Sequence, residues 1–112
     1  MSVRRLAAVH RGLSLTGESR YRNPPLWRIP IELKRRFPSL PLLCSPRHIC
    51  GRARLVPPIA QEALDLLYDG LMIEVHPDPS NAPCDGPAQV DFAGLDRLLA
   101  EIVAVERALG RR

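Results

Sequence analysis

The chain has 112 residues, 46% of them apolar and 25% charged, with a formal net charge of +4. That apolar content excludes a disordered polymer, and the length limits the chain to one domain or a piece of a larger one, burying roughly two-thirds of its unfolded surface. The arginines are scattered and only 4% of residues are aromatic, so anionic metabolites suit the chain better than nucleic acid, which needs rings to stack its bases.

Three strand-then-helix units are predicted in chain order. The first strand is Leu6-Ala7-Ala8-Val9-His10, followed by a polar loop over residues 11–23 and a short helix over residues 29–37 that Pro38-Ser39 stops. The second strand is Pro41-Leu42-Leu43-Cys44, a short apolar run of the buried parallel kind. Its helix opens at Pro57-Pro58, where proline suits the first turn. Ile59, Ala60, Ala63, Leu64 and Leu67 recur at helical spacing, and Gly70 is read as the terminator. The third strand is residues 71–75. A proline-rich loop follows to Val90, then a helix over residues 92–109 with Asp91 as N-cap.

Alternating strands and helices imply a parallel sheet with right-handed crossovers. Three strands cannot close a barrel, and nothing in the sequence covers the two sheet edges. The pattern reads as the end of a barrel, with self-association or a partner chain covering those edges. No apolar run spans a membrane or forms a signal peptide, and three cysteines without an export signal point to reduced thiols in the cytoplasm.

The residues that carry chemistry lie at strand ends. His48, Glu74 and Asp85 are spaced by 26 and 11 residues. The first spacing is about one helix-plus-strand unit, and an imidazole with two carboxylates suits Mn²⁺, Fe²⁺, Co²⁺ or Zn²⁺. Strand carboxyl ends are where α/β barrels do their chemistry. The alternative is that each is an ordinary polar residue at a strand end. Arg11, directly after the first strand, is a candidate for holding phosphate or carboxylate bidentately, or else a solvated loop arginine. His76 shares a strand face with Glu74 and is read first as a packed histidine. Cys44, Cys50 and Cys84 with His48 match no zinc-finger spacing, so a structural zinc site is not expected, and Cys84 is read only as a neighbour of Asp85 near the metal. Neither a glycine-rich phosphate loop nor a Gly-x-Ser-x-Gly elbow occurs.

Three segments together resemble a known family: Tyr21-Arg-Asn-Pro-Pro-Leu-Trp-Arg-Ile-Pro-Ile-Glu-Leu-Lys-Arg-Arg36, Cys44-Ser-Pro-Arg-His-Ile-Cys-Gly51 and Asp69-Gly-Leu-Met-Ile-Glu-Val-His76. In order and spacing they are similar to the C-terminal third of 3-deoxy-D-arabino-heptulosonate 7-phosphate (DAHP) synthase, and the likeness runs over residues 6–109. The wider group includes the octulosonate-phosphate synthases; Tyr-Arg-Asn and Asp-Gly-Leu-Met-Ile-Glu favour the heptulosonate branch. The resemblance implies a (β/α)₈ TIM barrel, of which residues 1–112 would be strands six to eight with their helices. It also implies metal-dependent condensation of phosphoenolpyruvate with erythrose 4-phosphate, the entry to aromatic amino-acid synthesis. In that family Cys, His, Glu and Asp hold a divalent metal, and His48, Glu74 and Asp85 match the last three. The family's arginine that grips phosphoenolpyruvate matches Arg11.

Two departures follow. The family has Asp-Pro-Ser-His where this chain has Ser45-Pro46-Arg47-His48, which puts a cation beside the metal histidine and alters its electrostatics. Strands one to five, with the metal cysteine, a lysine for phosphoenolpyruvate and most of the erythrose 4-phosphate site, have no counterpart here. The chain alone is therefore expected to be inactive as a transferase. The alternative is a non-catalytic barrel fragment acting as an interaction or complementation partner of a full-length synthase.

Overall fold

The structure, a computed structural model, describes residues 3–13, 21–78 and 90–108. Three short strands form one parallel sheet in the order β1 (Ala8–His10), β2 (Leu42–Cys44), β3 (Gly70–Leu71). The register pairs His10 with Cys44 and Cys44 with Leu71, so all three strands end at one level. Backbone bonds carry the ladder one step further, with Ser45 N donating to His10 O at 2.9 Å and Met72 N to Cys44 O at 2.8 Å.

The first helix, α1 (Arg28–Arg36), matches the expected segment, and the Phe37 N–H closes it on Leu33 O. Glu32 pairs with Arg35 and Arg36 along its exposed face. The helix after β2 is not immediate. A five-residue helix, α2 (Pro46–Cys50), and a single 3₁₀ turn, Ala53–Leu55, precede α3 (Val56–Asp65). Pro46 opens α2, where its missing N–H costs nothing. Gly51 stops it at φ 72, in the left-handed region, with its N–H on Arg47 O. Pro57 and Pro58 sit in the first turn of α3, as expected. The last helix is α4 (Phe92–Ala108), and the Asp91 carboxylate caps it by accepting from Gly94 N at 2.7 Å.

Two expectations are corrected. The left-handed residue after α3 is Leu67, at φ 65, not Gly70. Gly70 instead lies in β3, where a Cβ would come within 2.9 Å of Leu43 Cδ2, the far end of a side chain that can shift to admit it. The third strand is also shorter than residues 71–75. Beyond Met72 the chain leaves β2 and pairs with Val90 through a parallel Val75–Val90 bridge, with His76 N donating to Val90 O at 3.0 Å.

The core lies between sheet and helices. Ile59, Ala60 and Ala63 form one stripe of α3 that shares a core with Leu42, Cys44, Ile49 and Val56, and Leu64 is buried as well. Asp69 ties this layer to α1, its Oδ2 accepting from Lys34 Nζ at 2.6 Å and from Leu42 N at 2.8 Å. Among the described residues no helix is long and apolar enough to cross a membrane.

Candidate functional site

Because the strands are parallel and in register, Arg11, the Ser45–His48 stretch and Glu74 all follow carboxyl ends on one rim of the sheet. The helix α2 begins directly after β2, with Ser45 in the N-cap position. The Ser45 hydroxyl makes no cap bond; it pairs with His48 Nδ1 at 2.7 Å. Arg47 Nη2 lies 2.7 Å from His48 Nε2 and also donates to Glu74 Oε1. Arginine can only donate, so Nε2 must be the accepting nitrogen. His48 is therefore neutral at Nε2, and its Nδ1–H donates to Ser45 Oγ.

Arg47 is 6% exposed, whereas the Glu74 side chain is 39% exposed. The guanidinium is thus buried behind the rim and the carboxylate faces outward. A polar clip from the loop after β1 holds α2 in place: Asn23 Nδ2 donates to His48 O at 2.8 Å and Asn23 N to Ile49 O at 3.0 Å. That clip depends on Gly12, at φ 82, where a Cβ would lie 2.1 Å from Asn23 O.

The expected residues are distributed unevenly. His48 and Glu74 are brought together, through Arg47. Arg11 is exposed at the same rim, but it borders a different feature, an apolar cleft of about 330 Å³ between β1 and α1 lined by Ile29, Pro30 and Leu33. His76 is partly buried and its Nδ1 accepts from Asp78 N at 2.9 Å, a local turn contact. Asp85 and Cys84 lie outside the described residues. Cys44 is fully buried, and burial pushes its thiol up to about 12; burial also raises Cys50. Neither is a thiolate available as ligand or nucleophile near neutral pH.

A buried aromatic group under the rim was not anticipated from the sequence. His10 Nε2 donates to Pro25 O at 2.7 Å, and the Tyr68 hydroxyl donates to His10 Nδ1 at 2.8 Å. Trp27 sits edge-on to both rings, at 5.4 and 5.8 Å between centroids. The alternation of the first strand places His10 inside, and that was the available signal; its two partners are 15 and 58 residues away and carry no local mark.

Among the described residues no three His, Cys, Asp or Glu side chains come together to hold a divalent metal. One guanidinium nitrogen engages the single lone pair of His48 Nε2 and also donates to Glu74 Oε1. As folded, the His48 imidazole has no lone pair left for a metal ion.

Comparison with known proteins decides the family. The model of the DAHP synthetase I family matches residues 1–109. The chain belongs to this family. It is 35% identical over 80 residues to the phospho-2-dehydro-3-deoxyheptonate aldolase of Thermotoga maritima, covering 71% of this chain and 24% of that protein. It is 44% identical over 57 residues to the 2-dehydro-3-deoxyphosphooctonate aldolase of Pisum sativum, covering 51% and 20%. A solved truncated form of the Thermotoga maritima DAHP synthase superposes with a TM-score of 0.83 at 33% identity, over 93% of this chain and 39% of that one. The chain therefore spans about a fifth to two-fifths of the length of these relatives. Its parallel strand–helix arrangement is part of the TIM-barrel fold of these synthases.

Proposed function

We propose that the chain supplies the last three βα units, strands six to eight, of a barrel that condenses phosphoenolpyruvate with a phosphorylated aldose, as a 3-deoxy-7-phosphoheptulonate synthase does. The observation that carries this reading is the gathering of Arg11, Ser45, Arg47, His48 and Glu74 on one rim, past three parallel strand ends. In the reaction C3 of phosphoenolpyruvate bonds to the aldehyde carbon, whose oxygen takes a proton. Water adds its oxygen at C2, and phosphate leaves as C2 becomes a ketone. Arg11, free to reach outward from β1, would hold an anionic group of phosphoenolpyruvate as a bidentate donor. His48 and Glu74 would border the aldehyde side. The buried free thiols Cys44 and Cys50 accord with a reducing compartment, and the cytoplasm is proposed on that basis.

Residues from the other five units complete the reaction, whether from the same polypeptide or another. The test co-expresses the chain with the corresponding N-terminal portion of the Thermotoga maritima synthase and follows loss of phosphoenolpyruvate. Heptulosonate chemistry predicts turnover with a four-carbon phosphosugar aldehyde and much less with a five-carbon one. Arg11→Ala should raise the KM for phosphoenolpyruvate at least tenfold. A soluble complex without turnover on either sugar refutes the catalytic reading. It would favour the alternative, a non-catalytic partner of a synthase, for which the exposed Val9 on edge strand β1 and the exposed Leu6 before it supply an apolar surface.

A further inference from the structure

We infer that the Arg47 guanidinium stands in for a divalent cation at the His48–Glu74 pair, so that this rim carries a protein cation in place of a metal ion. This rests on the placement of His48 and Glu74 in the reaction site argued above. Two groups that would serve as ligands converge, but they converge on Arg47 Nη2, which lies 2.7 Å from His48 Nε2 and donates to Glu74 Oε1. One nitrogen thus engages a lone pair of each, the same demand a bound cation would make.

Three further features show that the arrangement is built rather than incidental. Arg47 is 6% exposed, so its charge is held inside the protein, where it requires an anionic partner; Glu74 is that partner. The Ser45 hydroxyl accepts from His48 Nδ1 at 2.7 Å, which orients the ring in the tautomer that the donor-only Arg47 requires at Nε2. Asn23 clamps the backbone of α2 at two successive carbonyls, His48 O and Ile49 O, so Arg47 and His48 are presented from a fixed turn. A dication placed at the same pair would lie beside the Arg47 guanidinium, and the like charges would repel.

The role follows from the charge. At the His48–Glu74 pair the guanidinium supplies the positive charge that balances the Glu74 carboxylate, as a bound cation would. It cannot be removed by a chelator.

The experiment uses the full chain, labelled with ¹⁵N, and Mn²⁺ alone as the probe. Long-range ¹H–¹⁵N spectra resolve the imidazoles of the three histidines, with His48 assigned by its loss in His48→Gln. The inference expects the His48 signals to persist as Mn²⁺ is added, and the free Mn²⁺ electron-spin resonance signal to stay undiminished. Arg47→Ser should then gain Mn²⁺ binding at least tenfold, and the added His48→Gln change should abolish that gain. Selective bleaching of His48 in the unaltered chain overturns the inference, as does a folded Arg47→Ser that gains nothing. If Arg47→Ser fails to fold, the unaltered chain decides alone, persistence supporting the substitution and bleaching refuting it. These readouts concern the cation seat, whereas turnover in the complemented barrel concerns the reaction, so failure of one is distinguishable from failure of the other.

Discussion

Removing the Tyr68 hydroxyl isolates one buried bond and exposes its pH dependence. Tyr68 is 4% and His10 8% exposed, and the hydroxyl reaches His10 Nδ1 at 2.8 Å. Tyr68→Phe keeps the ring and its edge contact with Trp27 while leaving Nδ1 without a donor. A satisfied neutral bond is worth about 1 kcal/mol net, and an orphaned buried acceptor costs about 1–3 kcal/mol. The expected loss is therefore about 2 kcal/mol, or roughly 10 °C in Tm for a chain of this size. Burial holds the His10 pKa below its ordinary 6.5, against the opposing bond to Pro25. The unfolded chain thus takes up the proton first as pH falls. Stability is full above about 6.5 and is lost as the pH drops towards the folded pKa. Protonation also removes the lone pair that accepts from Tyr68, so the gap between the two proteins should narrow in acid. Urea unfolding at pH 7.5 and pH 5.5 measures both effects. A Tyr68→Phe midpoint equal to that of the unaltered chain at pH 7.5 would refute the reasoning.

Three other outcomes follow from geometry. Gly12→Ala, at φ 82 with a Cβ 2.1 Å from Asn23 O, should cost about 2 kcal/mol or more in urea unfolding, because the alanine is strained and the Asn23 clip on α2 must shift. Cys44 and Cys50, both buried with raised pKa values, should resist Ellman's reagent at pH 8 in the folded chain and react only in urea; mapping the modified peptides by mass spectrometry checks this. Asp69→Asn should cost about 1 kcal/mol, since the site is partly exposed and water screens the Lys34 pair. Lys34, then the Leu42 N–H, hold the Asp69 carboxyl below its usual range. Its contribution is present above about pH 4 and fades as the pH falls through the folded pKa, so acid titration of the Asn variant should lose that component.

What could be read from the sequence followed local physical rules. Pro57-Pro58 announces α3, Asp91 caps α4, and the Pro38-Ser39 turn follows α1, because each signal acts within a few residues of its effect. The helix α2 was missed although Pro46 and Gly51 bracket it correctly. Five residues are too few to show a 3.6-residue period, so its ends were visible and its body was not. Gly70 misled for a related reason. Glycine after a helix usually marks a left-handed cap, but here Leu67 takes that conformation and Gly70 lies in β3 against the Leu43 side chain of the neighbouring strand.

The same division between local and distant information runs through the site. That His48 and Glu74 approach each other was readable, because one helix-plus-strand unit returns the chain to the same rim of a parallel sheet. What they approach was not. The sequence marks Arg47 only as an added charge beside a histidine; its direction is set by the turn of α2, by Gly51 ending that turn and by Asn23 clamping it from another loop. Spacing can therefore identify a pair of ligands without identifying the cation they hold. Where a family motif keeps its histidine but gains an arginine beside it, the distance from that guanidinium to the retained imidazole distinguishes a disturbed metal site from a replaced one. In this chain the distance is 2.7 Å, and it favours replacement.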